Sequence, residues 1–393
     1  MAIHKLTGKV QHYDWGGSQF IPNLLGKAPD GKPCAEYWMG THPNGPSLKE
    51  DGLESLPNYI AKDPVGILGE KVATEFDNKL PYLFKVLDVA SMLSIQVHPT
   101  KMEAIAGFEA EELVGVPREA AHRNFKDNNH KPEIMVALSE FWLLHGFRQT
   151  AEITTMLETT PEFHQLAPYY ATQDTKMLYQ YLMEMPQAKV DTILEPLQKR
   201  LSIAKPLDKA KPDYWALRAF DLYTINGHFD RGIFSIYLLN LVKIAEGDAI
   251  FQGAGIPHAY LEGQNMELMA NSDNVFRGGL TPKHIDVPML LKHTDFAAVV
   301  PQIIKGAATG HEVVYKTTCE DFELAKIELG NADSFSLACS GPNVFFVYQG
   351  EGNIEGRSSS VTYAQGVTLF VDGRESLIIK GSKKTIIFIA RMP

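Results

Sequence analysis

The 393-residue sequence has few cysteines and no long apolar run. Its three cysteines, Cys34, Cys319 and Cys339, are far apart and lack the paired spacing of a cysteine-based metal site. We therefore expect reduced thiols, and any bound metal must use histidine, carboxylate or amide oxygen. No apolar stretch has the length of a membrane span, and the N-terminus lacks an apolar signal segment. These absences predict a cytoplasmic protein without a membrane partner.

An excess of basic residues is also missing. The chain has 37 Lys and Arg against 47 Asp and Glu, which gives a net charge of -10. A nucleic-acid surface needs a basic stripe that displaces counterions, so we expect no nucleic-acid partner. An anionic ligand must instead meet a local cluster of Lys and Arg. The length predicts more than one domain, and we expect a monomer.

Residues 94–98 alternate between polar and apolar side chains. In an extended segment, Ser94, Gln96 and His98 share one face, and the apolar residues between them share the other. The amide oxygen of Gln96 and a ring nitrogen of His98 could then reach one ion. A solvated or hydrogen-bonded pair is the simpler reading of these residues alone.

Two further residues could complete a metal site. Glu133 begins a strand-like segment whose alternate positions are small or apolar, and His258 follows a Gly-Ala-Gly-Ile-Pro turn. Two histidines, a carboxylate and an amide oxygen make a plausible zinc sphere with room for water. The spacing leaves three other histidines open as ligands: His42, His130 and His145.

Basic residues flank the same stretches and predict an anionic substrate. Lys85 precedes the segment that carries Gln96, Lys131 lies two residues before Glu133, and Arg277 and Lys283 follow His258. A guanidinium offers a fork of donors, whereas a lysine is a compact charge that titrates when desolvated. Each of these residues alone could be a solvated surface charge. Glu267 could be a base or the partner of one of these cations.

The chain divides by its periodicity into β-rich and helical parts. Residues 1 to about 80 suggest irregular β structure, and helix-length patterns fill about 150 to 230. Short strands joined by glycine turns then suggest a β-barrel or jelly roll, and a second such set follows residue 300. No histidine follows His311, so we expect no metal there. The resulting domains are 1–148 with 234–300 for catalysis, 149–233 as a helical insertion, and 301–393 at the C-terminus.

Several motifs occur together in this chain. They are Tyr-Asp-Trp-Gly at 13–16, Ala-Glu-Tyr-Trp-Met-Gly-Thr-His-Pro at 35–43, Leu-Phe-Lys-Val-Leu at 83–87, Ser-Ile-Gln-Val-His-Pro at 94–99, Lys-Pro-Glu at 131–133, Pro-His-Ala-Tyr at 257–260 and the stretch 267–283. With them the sequence resembles the type I mannose-6-phosphate isomerases. It departs from the family at Gly278, where alanine is more common, and at Gln264-Asn265, which replaces a commonly acidic turn.

The resemblance implies a fold and a reaction. The fold is mainly β: a cupin-type jelly-roll catalytic domain, a helical domain and a second, C-terminal jelly roll. The reaction interconverts mannose 6-phosphate and fructose 6-phosphate through a cis-enediol, with one zinc ion. The zinc ligands fall on Gln96, His98, Glu133 and His258.

The resemblance also places the family's active-site cations, and it leaves the base open. The cations are Lys85, Lys131, Arg277 and Lys283, and we expect Ser94 and Lys283 to contact the phosphosugar. The proton could move through Lys131, Lys85, Glu267 or a zinc-bound water. Two rival functions use the same fold: a cupin oxygenase with iron, and a sugar-binding module without turnover.

Overall fold

A computed structural model describes residues 3–50, 52–204, 206–357, 359–373 and 376–393. In these ranges the strands form three antiparallel sheets, and five of the eleven α-helices and a 3-10 helix lie between residues 150 and 238. The chain is therefore mainly β with a helical insertion, as predicted. No helix in the described ranges is both long and apolar enough to cross a membrane. All three cysteines are free thiols.

The strands before residue 300 are β1 (Ile3–Thr7), β2 (Lys9–Gln11), β3 (Glu36–Gly40), β4 (Leu48–Lys49), β5 (Tyr82–Val89), β6 (Gln96–Val97), β7 (Glu133–Ala137), β8 (Phe141–Phe147), β9 (Leu239–Ile244), β10 (Ala249–Gln252), β11 (His258–Ala270) and β12 (Phe276–Arg277). The later strands are β13 (Ala307–Thr309), β14 (Glu312–Tyr315), β15 (Glu323–Leu329), β16 (Ser334–Ala338), β17 (Asn343–Gln349), β18 (Glu351–Glu355), β19 (Ser360–Ala364), β20 (Thr368–Val371), β21 (Ser376–Gly381) and β22 (Thr385–Arg391).

The helices are α1 (Phe20–Leu24), α2 (Leu56–Lys62), α3 (Pro64–Leu68), α4 (Glu70–Glu75), α5 (Lys101–Leu113), α6 (Thr150–Thr159), α7 (Thr175–Glu184), α8 (Gln187–Ile203), α9 (Pro212–Tyr223), α10 (Gly232–Leu238) and α11 (Val287–His293). A 3-10 helix spans Pro161–Tyr170.

Strand β11 organises the ten-stranded sheet. Its second half lies between β5 and β7, and its first half pairs with β6 and β8. The pairing with β8 shifts between Tyr260 and Glu262, and such a bulge bends a strand. Gly263 follows the bulge at φ 128°, and a Cβ there would lie 2.6 Å from Phe141 Cδ2. Because of this bend, β11 pairs both with β6, which carries Gln96, and with β7, which begins with Glu133.

The helical segment shares one apolar core with the strand that bears Gln96. Leu178, Leu194 and Trp215 are buried in the same cluster as Ile95 and Val97. The helix-length patterns predicted over about 150 to 230 are confirmed, since α6, α7 and α8 lie in that range. The helices thus pack against the apolar face of the segment that carries Gln96 and His98.

Helix α5 begins at a capping box directly after His98 and Pro99. Thr100 Oγ1 accepts from Glu103 N at 3.3 Å, and Glu103 Oε2 accepts from Thr100 N at 2.9 Å. Such a cap satisfies two helix-end donors and is worth about 1 kcal/mol. The chain therefore turns sharply after His98 and Pro99.

The C-terminal strands form an eight-stranded and a four-stranded sheet. Their order is β13-β14-β15-β22-β17-β20-β1-β4 in the first and β16-β21-β18-β19 in the second. Apolar residues of both sheets share one core, with Phe345 and Ile389 from the larger sheet and Ile354 and Ile379 from the smaller. The first strand, β1, hydrogen-bonds to β20, so the start of the chain is part of the C-terminal sheet.

Two local expectations differ from the structure. The strand expected over residues 94–98 is only Gln96–Val97. The described part of residues 1–80 contains four short helices as well as strands. Two of these begin at good N-caps, because Ser55 Oγ accepts from Asn58 N and Asp63 Oδ1 accepts from Gly66 N. Helices of five to seven residues are too short to show a helical period.

Candidate active site

Distant parts of the chain meet beside the bend in β11. His258 is the first residue of β11 and lies opposite Gln96 of β6. His98 follows β6 and is fully buried. Glu133 begins β7, which pairs with the second half of β11. The sheet topology therefore brings all four sequence-predicted ligands to one region.

Three of these residues form a buried cluster. His98 Nε2 lies 3.5 Å from Glu133 Oε1, and His258 Nε2 lies 3.4 Å from Glu133 Oε2. One ligand atom from each residue falls within 4.8 Å of the others, a spacing that could hold one metal ion. No other such group of three or more His, Cys or acidic residues occurs in the described part of the chain.

The hydrogen bonds of both histidines prepare Nε2 for a metal. His98 Nδ1 lies 2.8 Å from Asn274 O, and His258 Nδ1 lies 2.9 Å from Ile256 O. A carbonyl only accepts, so Nδ1 carries the proton in each ring and Nε2 keeps a free lone pair. His98 Nε2 is buried without a hydrogen-bond partner among the described residues. A buried bare nitrogen of this kind fits a zinc ligand.

Burial sets the charge state of the cluster. The pKa of His98 falls to about 4, first because burial disfavours the imidazolium and second because Lys131 is near. Burial also opposes ionisation of Glu133. The positive charge of Lys131 outweighs it, so the pKa of Glu133 lies well below its usual value. Neutral imidazoles and an ionised carboxylate are the forms that bind metals.

Gln96 differs from the other three ligand candidates. It is half-buried, and its side-chain amide has no hydrogen bond to any described residue. It lines a cavity next to the cluster, whereas the two histidines and Glu133 are not among the lining residues. The Gln96 oxygen could therefore bind the exposed side of an ion at the cluster.

The cavity has a volume of about 1260 Å³, ample for a phosphorylated hexose. Six of the sequence-predicted residues line it: Lys85, Ser94, Gln96, Lys131, Arg277 and Lys283. Glu267 does not. The structure thus gathers the predicted cations around one space and places Glu267 behind them.

Lys131 and Lys85 have different partners. The amine of Lys131 lies 2.9 Å from Glu133 Oε1, directly beside the cluster. Lys85 Nζ donates to Glu267 Oε2 at 3.2 Å and lies 3.5 Å from Glu36 Oε2. Burial alone would lower the pKa of Lys85, but the charges of Glu36 and Glu267 raise it above its usual value. Lys85 is therefore a permanent cation.

Arg277 and Lys283 form a second basic group. Arg277 lies opposite Gln96 in the β6–β12 pair, and neither cation has a side-chain partner among the residues with described positions. Burial lowers the pKa of Arg277. It also lowers the pKa of Lys283, which the charge of Arg277 lowers further. Two neighbouring unpaired cations favour an anion between them.

Comparisons with known proteins agree with this geometry. Residues 3–150 match the family model described as phosphomannose isomerase type I, catalytic domain. The mannose-6-phosphate isomerase of Escherichia coli (strain K12) is 35% identical over 390 residues, which cover 96% of this chain and 97% of that protein. That of Rattus norvegicus is 33% identical, with coverage of 96% and 95%. The chain belongs to the type I phosphomannose isomerase family.

Solved structures of phosphomannose isomerases share the whole fold. A mannose 6-phosphate isomerase from Salmonella typhimurium, bound to fructose 6-phosphate and zinc, is 32% identical, with a TM-score of 0.90 and full coverage of both chains. A mannose 6-phosphate isomerase bound with zinc and yttrium overlaps equally well, at 32% identity and a TM-score of 0.90. These overlaps confirm the fold class that the sequence predicted.

In this phosphomannose isomerase family member, the alternative histidine ligands lie outside the cluster. His42 Nε2 is 3.4 Å from Asp273 Oδ1, and His130 Nε2 is 2.9 Å from Asp321 Oδ2. His145 lies opposite His258, but its Nδ1 is hydrogen-bonded to the Gln252 amide oxygen at 2.7 Å. None of the three belongs to the buried group of possible ligands.

Three residues that were not predicted from the sequence support this site. Glu36 and Tyr260 hold the Lys85–Glu267 pair, since Glu36 faces Lys85 and the Tyr260 hydroxyl donates to Glu267 Oε1 at 2.8 Å. Asn274 supplies the carbonyl that orients His98. All three lie inside motifs that carry the family resemblance, which was the signal available.

Proposed function

We propose that this chain interconverts D-mannose 6-phosphate and D-fructose 6-phosphate through a cis-enediol, with one zinc ion. The observation that carries the proposal is the buried His98, Glu133 and His258 cluster next to a cavity lined with cations. Family membership supports it, as does the zinc and fructose 6-phosphate in the Salmonella typhimurium structure.

We assign the zinc to Gln96, His98, Glu133 and His258. The chemistry of the donors supports this set: two imidazoles with a free Nε2, one ionised carboxylate and one amide oxygen with no other partner. Bound zinc supplies a Lewis acid that polarises the sugar oxygens and offsets negative charge on the enediolate.

We assign the substrate's phosphate to the basic group formed by Arg277 and Lys283. Arg277 offers a planar fork of donors and Lys283 a compact charge, and an anion would reverse the fall in their pKa values. Ser94 lines the same cavity and can donate its hydroxyl to a sugar or phosphate oxygen. The phosphate would fix the sugar with its C1–C2 end toward the cluster.

Lys85 and Lys131 both line the cavity, and we give them different roles. Lys85 stays charged between Glu36 and Glu267, so it stabilises the enediolate electrostatically and does not accept a proton. Lys131 has its amine at the cluster and is the side chain we assign to proton transfer between C1 and C2. Glu267 is outside the cavity lining and acts through Lys85 as its positioning residue.

We infer a monomer that works in the cytoplasm without nucleic-acid or membrane partners; the acidic net charge of -10 and the free thiols support this. We propose that residues 301–393 form a C-terminal domain without metal, and that 149–233 is an insertion into a catalytic domain of 1–148 and 234–300. Size-exclusion chromatography with light scattering tests the monomer.

A coupled assay tests the proposed activity. Purified zinc-loaded protein is given mannose 6-phosphate, and fructose 6-phosphate is followed through a coupling enzyme. Turnover that Glu133→Gln abolishes is the expected result. Binding of the sugar phosphate without turnover would support the sugar-binding module instead, and oxygen consumption with bound iron would support the oxygenase.

A further inference from the structure

The loop that joins Arg277 to Lys283 is fixed on one side by the ligand strand. Gly278 N donates to Ile95 O at 2.8 Å, and Ile95 N donates to Gly279 O at 3.0 Å. These two hydrogen bonds fix the start of the loop, at Gly278 and Gly279, beside the strand that carries Gln96. Within the described ranges, the residues that follow in the loop, toward Lys283, have no hydrogen bond to that strand.

A carboxylate from the helical segment holds those residues. Asp230 lies in the turn before α10, and its Oδ1 accepts from Gly232 N at 2.7 Å and from Leu280 N at 2.8 Å. Its Oδ2 accepts from Thr281 N at 3.1 Å. One side chain therefore joins the backbone of the helical segment to the backbone of the loop between Arg277 and Lys283.

The backbone that Asp230 holds is strained. Leu280 has φ 54°, in the left-handed region that leucine avoids because its Cβ approaches its own carbonyl oxygen. Its side chain is buried, so the residue does not gain this conformation from solvent exposure. Strained backbone of this kind persists only where the surroundings impose it, and it concentrates at functional sites.

The helical segment also packs tightly against the glycines at the start of this loop. A Cβ on Gly279 would lie 2.4 Å from Gly232 Cα, and a Cβ on Gly278 would lie 2.7 Å from the Tyr179 hydroxyl oxygen. Tyr179 is buried on α7. The loop is thus enclosed by the helical segment at two points besides Asp230.

We propose that Asp230 is a positioning residue for substrate binding: by holding Leu280 in its left-handed conformation, it sets the loop that presents Arg277 and Lys283 to the phosphate. This inference rests on the proposed function of the cavity. Asp230 does not line the cavity, so it acts only through the loop. The helical insertion then takes part in substrate recognition as well as in packing.

Asp230→Asn tests the inference, because it keeps the size of the side chain and points an amide donor at Thr281 N. In zinc-loaded protein, KM for mannose 6-phosphate should rise roughly tenfold or more, as expected when a positioning loop shifts. The change in kcat should be smaller, and zinc should stay at one ion per chain. Inhibition by inorganic phosphate should weaken in parallel. Asp208→Asn is the matched control, since Asp208 accepts Ala210 N at 2.9 Å in an exposed turn of the same segment.

A second pair of variants tests the enclosure without touching Asp230. Gly278→Ala places a methyl group against the Tyr179 hydroxyl and should raise KM for mannose 6-phosphate. Adding Tyr179→Phe removes that oxygen and should restore most of the affinity. If Asp230→Asn does not fold, as judged by its thermal melt, this pair decides the question.

Three results would overturn the inference. One is a wild-type KM and wild-type phosphate inhibition in both Asp230→Asn and Gly278→Ala. Another is loss of zinc from Asp230→Asn with KM unchanged, which would place its effect at the metal cluster. A wild-type chain that does not turn over mannose 6-phosphate would instead contradict the proposed function; calorimetric titration of wild type and Asp230→Asn with inorganic phosphate then decides the role of Asp230, and equal affinities would overturn it.

Discussion

Glu267 and Lys85 lie opposite each other on β11 and β5, and their side chains form a buried ion pair with Oε2 and Nζ 3.2 Å apart. The other oxygen of Glu267 accepts from the Tyr260 hydroxyl at 2.8 Å, and Glu36 lies 3.5 Å from the same amine. Desolvating an ion pair seldom gains net stability. We therefore attribute this pair to function: it keeps a fixed positive charge at the cavity.

Glu267→Gln should impair both stability and turnover. Removing one partner of a buried pair leaves Lys85 undercompensated, and we expect a loss of roughly 3 kcal/mol in the free energy of unfolding, near the low end for such changes because Glu36 remains. The value of kcat should fall while KM changes little, since Lys85 acts on the enediolate. Urea unfolding and steady-state kinetics measure the two effects. An unchanged kcat would contradict the positioning role of Glu267.

The chain stripped of metal should lose stability as the pH falls below about 6.5. Burial lowers the pKa of His98 and of His145 to about 4, whereas both titrate near 6.5 in an unfolded chain. Between these pH values the unfolded state binds the protons and the folded state does not. Each histidine then removes up to about 3 kcal/mol of stability by pH 4, and the full contribution returns above pH 6.5.

Urea unfolding of chelator-treated protein at several pH values measures this dependence. His145→Gln should flatten part of the slope, whereas the exposed residue His122, changed to Gln, should leave it as in the wild type. A free energy of unfolding that stays constant from pH 7 to pH 5 would contradict the assignment of two buried neutral histidines.

Arg277→Lys should impair turnover although it keeps the charge. A lysine cannot reproduce the guanidinium fork, and loss of one charge-assisted hydrogen bond removes roughly 1.5 to 3 kcal/mol. We therefore expect kcat/KM for mannose 6-phosphate to fall at least about tenfold. Arg200→Lys is the control, because Arg200 pairs with Glu162 on the helical segment. If both variants keep the wild-type kcat/KM, Arg277 has no role in substrate binding.

Proton transfer through Lys131 predicts an isotope result. Product formed in heavy water should carry deuterium at the carbon that receives the proton, because an amine facing the cavity exchanges with solvent. Lys131→Met should abolish turnover with zinc still bound. Mass spectrometry of the product and metal analysis of the variant provide the readouts. Full activity in Lys131→Met would show that another group transfers the proton between C1 and C2.

The candidate ligands could be read from sequence because their signals are local. Gln96 and His98 share one face of a short extended segment whose other face is apolar, and Glu133 begins a strand whose five residues are all buried. Their assembly could not be read, since it depends on the bulge after Tyr260 that lets β11 pair with both β6 and β7. A bulge changes the register without a distinct sequence pattern.

Asp230 and Asn274 could not be predicted from the sequence for a different reason. Asp230 and Asn274 act through hydrogen bonds with backbone groups, and such bonds depend on loop positions fixed by the whole fold. Strand β1 joins the C-terminal sheet through pairing across more than 360 residues, which no local periodicity encodes. Short helices such as α3 follow from caps and prolines, which are weaker signals than a repeated apolar face.

Zinc titration of the metal-free enzyme tests the central claim most directly. Chelator-treated protein is titrated with zinc while the rate of fructose 6-phosphate formation from mannose 6-phosphate is measured. The rate should rise in proportion to zinc and reach its plateau at one ion per chain, and His258→Ala should show neither bound zinc nor turnover. Full activity in the metal-free enzyme, or in a His258→Ala chain that lacks zinc, would contradict a zinc isomerase built on Gln96, His98, Glu133 and His258.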